Sequence, residues 1–516
     1  MNIVTDNINI NKIMNSNVYQ ITLDDDFIVS DTKPDIDKII REQGEVIIDE
    51  FKMHNEKLEV RGRLKCTILY VSEYENGTIH SITEMLSFNE IVNLPDVENN
   101  TNISLKGNLD DLSVGIINSR KISIKGLVTL YIKEEVIEAK KAVVGIEECD
   151  DVQTLERQMG YSRLVVNKKD IFRIKEEIQL QSSKNNILEI LYSDVRIINC
   201  DTRLLNEKIG IKGELSVFII YKTEDDEYEC LEKEIPYSGE VEVSGIDENM
   251  IDDIEEKLVE KDINVKPDDD GEKRIIDVDV MLDLGIKIYN EEYLNILQDI
   301  YSIQRKLMPI IDKVECMKLL LKNNTAFRVN EKINLKEQNR DILQVCNSVA
   351  NIKMDDINIV ENGIGIEGII EINILYISNN NEKPLNSLQE IIPFSHIIEV
   401  KGINKDCIYD VKPYIEQIGI AMLTGNDIEI KAGINLDTIV FENVKENIIS
   451  DIEMKDFTKE EMNSMCSMIG YLVKDGDNLW TVAKKFYTTV DMLREINKIV
   501  DKDIKKGDKL LIVKKC

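Results

Sequence analysis

Aromatic residues are scarce in this sequence. Phe, Trp and Tyr together make up 5% of its 516 residues, and Trp480 is the only tryptophan. The hydrophobic cores must therefore be built mainly from Ile, Val and Leu, and the β-branched residues among them favour strands. A chain of this length is too long for a single core. We therefore predict a mainly β protein with several domains.

Basic residues are also far fewer than acidic residues, with 64 Lys and Arg against 97 Asp and Glu. The formal net charge is -33 at pH 7, and such a surface repels phosphate backbones and anionic lipid headgroups. Nucleic acid and the membrane surface are therefore not expected partners. Two interpretations stay open: the negative charge keeps the protein in solution, or it attracts a basic protein partner.

Signals for export and for membrane insertion are missing from the sequence. Residues 1–17 lack a charged stretch followed by an apolar one, so we expect no signal peptide. No apolar run approaches the roughly 18 residues of a membrane-spanning helix. The nine cysteines are scattered and form no CxxC pair, which favours free thiols in a reducing cytosol over disulfides or a zinc site. We therefore expect a cytoplasmic protein.

Catalytic motifs are also missing. The sequence has no P-loop, GxSxG or HExxH motif, and His54, His80 and His396 fall at unrelated positions of the repeat described below. The acidic run at 268–271 lacks the ligand spacing of a calcium loop. We therefore expect no enzymatic activity, no catalytic residue, no cofactor and no metal.

One pattern occurs three times along the chain. Residues 57–71, 208–222 and 363–377 alternate between apolar and polar residues, which is typical of a strand with one buried face. Each stretch has a glycine on its apolar face, eight residues before a tyrosine. These glycines are Gly62, Gly213 and Gly368. We predict that this glycine marks a bend or a bulge where another element approaches the strand closely.

The similarity extends to both sides of these stretches at offsets of 151 and 155 residues. We therefore predict three homologous β-rich domains in tandem, each an antiparallel sandwich or an open barrel. Their expected boundaries are 1–150, 151–315 and 316–450. A polar linker at 451–468 and a small domain at 469–516 are expected to follow.

Some segments of these domains are expected to depart from the strand pattern. Short helices are predicted within 33–43 and in the connections around 151–163 and 293–322. The acidic stretch at 247–262 has no obvious counterpart in the other two domains, and we interpret it as a solvated helix or loop.

The C-terminal segment predicts a strand, two short helices and a second strand. Leu479, Val482 and Phe486 have the spacing of one buried helix face, and Asn478 and Thr489 are placed to cap the two helices. The segment resembles a LysM domain over its whole length. The resemblance rests on "VKDGDNLWTVAKKF" (473–486), "VDMLREIN" (490–497) and "IKKGDKLLI" (504–512).

The LysM resemblance implies a binding groove. LysM domains that bind N-acetylglucosamine polymers do so between two loops, which here correspond to residues 475–479 and 497–501. Trp480 lies beside this groove on the first helix, and it either packs against the domain or anchors a protein partner. The binding residues predicted for the groove and the helix face are Lys474, Asp475, Gly476, Asp477, Asn478, Leu479, Trp480, Lys484, Tyr487, Asn497, Lys498, Ile499 and Val500.

The complete arrangement, with three β repeats, a "KPDI" motif at 33–36 and one LysM domain, resembles the SipL family of clostridial spore-coat morphogenetic proteins. The resemblance implies a non-catalytic scaffold that is made in the mother cell and gathers at the forespore surface. It also implies that the LysM domain binds the coat ATPase SpoIVA, and that the β repeats bind other coat proteins or self-associate. The alternative is a protein that binds peptidoglycan of the cell wall or spore cortex.

Overall fold

The computed structural model describes residues 2–513 except residues 74–77, 96–100, 148, 150, 335–341, 379–384, 424–426, 465–467 and 500–503, and the side chains of residues 13 and 462–464. The described part of the chain is mainly β, as predicted. It contains three homologous β-rich units in tandem, followed by a small βααβ domain.

Each unit contains six antiparallel strands. In unit 1 these are β1 (Asn2–Ile28), β2 (Ile36–His54), β3 (Lys57–Ser72), β4 (Ile79–Asn93), β5 (Asn102–Asn118) and β6 (Lys121–Glu147). They form two three-stranded sheets with the orders β2-β3-β4 and β1-β6-β5. The central strand of the first sheet is therefore the alternating stretch that repeats in the sequence.

Units 2 and 3 repeat this topology. Unit 2 contains β7 (Val152–Gln179), β8 (Ile187–Leu205), β9 (Lys208–Thr223), β10 (Tyr228–Glu242), β11 (Ile251–Pro267) and β12 (Lys273–Ser302). Unit 3 contains β13 (Arg305–Asn334), β14 (Ile342–Val360), β15 (Gly363–Ser378), β16 (Leu385–Glu399), β17 (Ile408–Met422) and β18 (Asp427–Asp456). The sheet orders are β10-β9-β8 and β11-β12-β7 in unit 2, and β14-β15-β16 and β13-β18-β17 in unit 3.

The two sheets of each unit pack face to face as a sandwich. In unit 1, Leu58, Leu64 and Ile68 of β3 are fully buried in one core with Ile122 and Leu130 of β6. These β3 residues alternate along the strand, so the period of two in the sequence selects the face that meets the second sheet. Ile, Val and Leu form most of this core, as the shortage of aromatic residues predicts.

The repeated glycine lies beneath an aromatic ring of the neighbouring strand. A Cβ atom added at Gly62 would lie 2.5 Å from Cζ of Phe88 in β4, and the two residues are directly paired. The equivalent pairs are Gly213 with Tyr237, and Gly368 with Phe394. The close approach predicted at this position is confirmed.

The longest strands extend beyond the sandwiches and together form a six-stranded stalk. The stalk consists of residues 2–17, 132–147, 152–166, 288–302, 305–320 and 440–456, which pair as one hairpin-like ribbon from each unit. A β-bulge lies between sandwich and stalk at equivalent residues of the three units, Met14, Val165 and Leu320. Bulges bend and twist a strand pair, so they redirect each ribbon toward the other two.

The stalk buries apolar residues from all three units. One cluster combines Ile8 of β1, Tyr161 of β7 and Cys316 of β13, and a second combines Val143 of β6, Leu297 of β12 and Ile449 of β18. Both faces of a stalk strand are therefore buried along part of its length. The stalk fixes the three units relative to one another.

The sandwich ends of the units also meet around a common axis. Equivalent residues of β2, β8 and β14 lie there, namely Arg41, Tyr192 and Asn347, and all three are buried. The Arg41 guanidinium donates a hydrogen bond to Asn347 Oδ1 at 3.1 Å and lies 5.1 Å from the centroid of the Tyr192 ring. The units thus have an approximately threefold arrangement within one chain.

The C-terminal part adds short helices. Helix α1 (Lys459–Ser464) follows β18, and the small domain contains β19 (Met468–Leu472), α2 (Leu479–Phe486), α3 (Val490–Asn497) and β20 (Lys509–Val513), with β19 paired to β20. The predicted strand–helix–helix–strand order is confirmed. Within the described residues, every helix is too short and too polar to cross a membrane.

The helices predicted within the β units are wrong. Residues 36–43 belong to β2, residues 152–163 to β7, residues 293–302 to β12, and residues 305–322 to β13. In β2, bulges shift the register between Ile36 and Lys38 and between Ile39 and Arg41. Each bulge interrupts the period of two, so Ile36, Ile39 and Ile40 acquire the spacing of a helix face. In the stalk strands both faces are buried, so apolar residues do not follow the period of two there either.

The prediction for the acidic stretch at 247–262 is also wrong, because residues 251–262 lie in β11, a counterpart of β5 and β17. Three of its carboxylates lie at the interfaces between units. Asp252 pairs with Lys322 of unit 3 at 2.6 Å, Asp253 pairs with Lys412 of unit 3, and Glu255 pairs with Lys106 of unit 1.

The strand bounds also shift the limits of the units. The boundary expected at 315/316 falls inside β13, which begins at Arg305, and the linker expected at 451–468 begins with the last residues of β18. The stalk ribbon of unit 3 therefore needs residues 451–456, which pair with residues 305–310 of β13.

Candidate functional site: the C-terminal domain and its docking face

The two helices of the C-terminal domain begin where the sequence predicts. Asn478 caps α2, since its side chain accepts a hydrogen bond from the Thr481 amide at 2.8 Å while its own amide donates to Thr481 Oγ1 at 2.9 Å. Thr489 caps α3 by accepting a hydrogen bond from the Met492 amide at 3.1 Å. Leu479 is buried in the domain core. Of the predicted binding residues, Asn478 and Leu479 therefore stabilise the domain itself.

The loop after β19 is held by one carboxylate. Asp477 Oδ2 accepts hydrogen bonds from the Lys474 amide and the Tyr471 hydroxyl, each at 2.7 Å. The backbone hydrogen bond is the largest of the effects that hold the pKa of Asp477 below its usual value of 3.8. Gly476 has a φ of 84°, a conformation that glycine adopts without strain. The turn leaves Lys474, Asp475 and Gly476 exposed.

Asn497, predicted for the second loop, joins α3 to the last strand. Its side chain donates a hydrogen bond to the Leu511 carbonyl at 2.8 Å and accepts one from the Leu511 amide at 2.7 Å. Lys498 is exposed with a φ of 52°, and Ile499 is half-buried against the core. The prediction for Val500 lies outside the described residues.

Trp480 faces the protein's own stalk. Its indole ring packs edge-to-face on Tyr301 of β12, with the ring centroids 4.9 Å apart. The indole N–H donates a hydrogen bond to Asp299 Oδ2 at 2.8 Å. The Tyr301 hydroxyl in turn donates to the Thr488 carbonyl at 2.8 Å, and Tyr301 is buried in the core of the C-terminal domain. Trp480 thus joins this domain to the tip of unit 2.

Lys484 lies one helical turn from Trp480 and contacts the same carboxylate. Its ammonium group donates to Asp299 Oδ1 at 2.5 Å. Burial acts to raise the pKa of Asp299, but the hydrogen bonds from Lys484 and Trp480 outweigh this effect, so the pKa lies below its usual value of 3.8. Asp299 is therefore held in the charged form with both of its oxygens occupied.

A second contact lies at the other end of α2. Tyr487, in the left-handed conformation after the helix, packs edge-to-face on Phe457 just beyond β18, with 4.8 Å between ring centroids. We call Trp480, Lys484 and Tyr487, together with the stalk residues that they contact, the docking face. The structure therefore brings three of the predicted binding residues together, but against the same chain.

At the described stalk positions that correspond to Asp299 and Tyr301, unit 2 alone has this combination of partners. The strand pairing makes Asp299 equivalent to Gly145 of unit 1 and Asp451 of unit 3. At the position of Tyr301, the other two units have Glu147 and Glu453. An aromatic ring next to a carboxylate occurs in one unit of the three, and the C-terminal domain contacts that unit.

Sequence reasoning singled out Trp480, Lys484 and Tyr487 but missed Asp299 and Tyr301. A signal was available, because Tyr301 differs from its counterparts in both other units and Asp299 differs from its counterpart in unit 1. A helix predicted around 293–322 conceals the alignment of these residues with 145–147 and 451–453. The three histidines are not brought together: His54 ends β2, His80 lies beside Tyr70, and His396 stacks on Phe327.

Comparison with known families matches both parts of the chain. The family model described as "SipL, SPOCS domain" matches residues 35–117, 186–267 and 341–423, and the LysM domain model matches residues 471–513. Each SPOCS match covers the second to fifth strands of a unit and leaves out the two long strands that build the stalk. Neither the curated proteins nor the solved structures gave a significant match to the chain.

Proposed function

From the premise that the chain has the SipL architecture of three SPOCS domains and a C-terminal LysM domain, we propose that it is a non-catalytic scaffold of the spore coat. In this proposal it acts in the mother cell at the forespore surface. Its LysM domain binds the coat basement-layer ATPase SpoIVA, and its SPOCS units bind other coat proteins. The family matches support a role in sporulation, and the SpoIVA contact follows from the resemblance.

One observation carries the proposal: the LysM domain is fixed to a rigid body formed by all three SPOCS units. Its contact with Asp299 and Tyr301 sets the orientation of the domain on the stalk. A domain held in this way suits a scaffold, because a partner bound to it is placed at a defined position relative to the three units.

The exposed loops are the LysM surface that we assign to the partner. Lys474, Asp475, Gly476 and Lys498 are exposed, whereas Trp480 is engaged by the stalk. A partner that binds these loops would contact charged side chains of both signs. Polar contacts of this kind contribute to specificity and association rate.

Peptidoglycan is the second candidate ligand. The loops that bind N-acetylglucosamine polymers in other LysM domains correspond here to loops that contain Asp475, Gly476 and Lys498. These three residues are exposed, so the stalk does not cover them. The described residues of these loops offer no aromatic ring on which a sugar could stack, and the neighbouring Trp480 packs on Tyr301. This difference favours a protein partner.

The test compares the two ligands with the full chain. The isolated domain would expose Trp480 and Tyr487, which would create an apolar surface that the intact chain covers. We expect the full chain to bind purified SpoIVA, and the double variant Asp475→Lys/Lys498→Glu to bind at least tenfold more weakly. The matched control is Lys509→Glu, a charge change at an exposed residue of β20. Binding to purified peptidoglycan without binding to SpoIVA would overturn the proposal.

A further inference from the structure

The three units contact one another through one position that is used three times. On one side of each contact is a bulged residue of the second strand of a unit. These residues are Ile40, Leu191 and Cys346, each skipped in the pairing of its strand. On the other side is a residue of the fourth strand of the neighbouring unit. These residues are Ser81, Cys230 and Ser387, which pair with equivalent residues of the central strand.

The three contacts close a ring. Ser387 Oγ of unit 3 donates a hydrogen bond to the carbonyl of Ile40 in unit 1. Ser81 of unit 1 and Leu191 of unit 2 line the same cavity. At the third contact, the equivalent positions hold Cys230 of unit 2 and Cys346 of unit 3, and the two thiols interact. Two of the contacts thus pair a serine with an aliphatic residue, whereas the contact between units 2 and 3 pairs two cysteines.

The two cysteines differ in their surroundings. Cys230 is exposed, and Cys346 is half-buried against the apolar cluster at the threefold axis. The interaction between the two thiols lowers the pKa of the Cys346 thiol and raises that of Cys230. By contrast, Cys66 is buried in the core of its unit, where burial raises its pKa to about 12. Thiolate character and access to solvent favour oxidation. Cys346 has the greater thiolate character of the two, and Cys230 has the greater access to solvent.

We propose that Cys230 and Cys346 form a redox-dependent disulfide that links the sandwich ends of units 2 and 3. The oxidant that we assign is a small peroxide, because Cys346 is only half-exposed. The Cys346 thiolate attacks one oxygen of hydrogen peroxide, forming a sulfenic acid and releasing hydroxide. The Cys230 sulfur then attacks the Cys346 sulfur, and its proton leaves with the sulfenic hydroxyl as water. Overall, two thiols and one hydrogen peroxide yield one disulfide and two waters.

The disulfide would add a second covalent connection between these two units. Units 2 and 3 are already joined at the stalk tip, where β12 ends at Ser302 and β13 begins at Arg305. The cysteine pair lies at the opposite end, beside the threefold axis. Oxidation would therefore restrain the sandwich ends of the two units, while the corresponding contacts of unit 1 stay non-covalent.

The test uses the full-length protein treated with hydrogen peroxide. Peptide mapping by mass spectrometry without reduction should show a peptide pair joined through Cys230 and Cys346. The thermal midpoint of unfolding should rise on oxidation and return to its starting value after dithiothreitol. The repeats supply replacements that are compatible with the fold: Cys230→Ser copies Ser81 and Ser387, and Cys346→Leu copies Leu191. Both variants should stay folded and should lose the joined peptide and the rise in midpoint.

The matched control is Cys149→Ser, which removes a half-exposed thiol outside this contact and should leave both readouts unchanged. Joined Cys230 and Cys346 peptides that come from two different chains, detected as a covalent dimer, would overturn the proposal. So would peroxide treatment that oxidises Cys149 while Cys230 and Cys346 both stay free thiols.

Discussion

The indole N–H of Trp480 donates a hydrogen bond to Asp299, a residue 181 positions earlier in the chain. This bond connects the LysM domain to the second of three similar units, and Lys484 shares the same carboxylate. The only tryptophan of the chain therefore lies at the contact between its two kinds of domain. Its fluorescence reports directly on that contact.

Replacing Tyr301 with Ala should detach the LysM domain from the stalk. The change removes the edge-to-face contact with Trp480 and the hydrogen bond to the Thr488 carbonyl. Aromatic pairs contribute about 0.5–1.5 kcal/mol beyond the area they bury, and a hydrogen bond adds about 1 kcal/mol. We expect the emission maximum of Trp480 to shift to longer wavelength as the ring meets water. The equivalent change in unit 3, Glu453→Ala, should leave the emission unchanged, and equal shifts in both variants would contradict the docking described here.

Exchanging the charges of Lys484 and Asp299 should reveal how much the interaction between the two side chains contributes to docking, apart from the effect of each single substitution. Lys484→Asp and Asp299→Lys should each weaken docking, because like charges then face each other. The double variant should recover part of the loss, although it cannot restore the acceptor for the indole N–H. We expect a coupling energy of about 1 kcal/mol or more from a thermal-unfolding cycle. The control pairs Asp299→Lys with Lys509→Asp, and a comparable recovery there would argue against a specific pair.

Docking should weaken at acidic pH. The pKa of Asp299 is lower in the docked state than its usual value of 3.8. The carboxylate therefore stabilises docking fully above about pH 4, and this contribution is lost as the pH falls through the lower, docked-state pKa. A titration of Trp480 emission should show the loss before the far-ultraviolet circular dichroism of the β units changes. Asp299→Asn should remove this step, so a step that persists in the variant would assign it to another group.

Gly62→Ala should destabilise unit 1. The added Cβ atom would meet the Phe88 ring at 2.5 Å and the Ile47 carbonyl oxygen at 2.6 Å, so the ring and the backbone must shift. Overpacking of this kind costs about 1–3 kcal/mol. The control is Gly419→Ala in β17, where nothing lies within 4 Å of the added atom. Urea unfolding should show a lower midpoint for Gly62→Ala alone, and equal midpoints would refute the close-packing argument.

The sandwiches could be predicted from the sequence because each central strand buries only one face. Ile364, Ile366, Ile370 and Ile372 alternate with residues that are more exposed, and all four are fully buried. The stalk could not be recognised in this way. Ile296 and Leu297 are consecutive and both buried, since one faces the first stalk cluster and the other the second. Such a strand loses its period of two, and a bulge at Gln298 disturbs the pattern further.

The candidate site was only partly predictable for a related reason. Asn478 and Thr489 act within one turn of their helices, so local spacing is enough to assign them. The partner of Trp480 lies in unit 2, and a local sequence pattern does not predict contacts between residues that are so far apart in the chain. Asp299 differs from its counterpart in unit 1 and Tyr301 from both of its counterparts, but this is visible only once the stalk strands are aligned.

The threefold arrangement also fixes a valency. Each molecule presents three SPOCS domains for every LysM domain, and the stalk holds all four in one body. If the LysM domain and the SPOCS domains bind partners as proposed, a partner attached through the LysM domain brings three further sites to the same place. Tethered sites experience each other at high effective concentration when the geometry allows simultaneous contact. Under the proposed function, individually weak contacts of the SPOCS domains would then be enough for stable attachment.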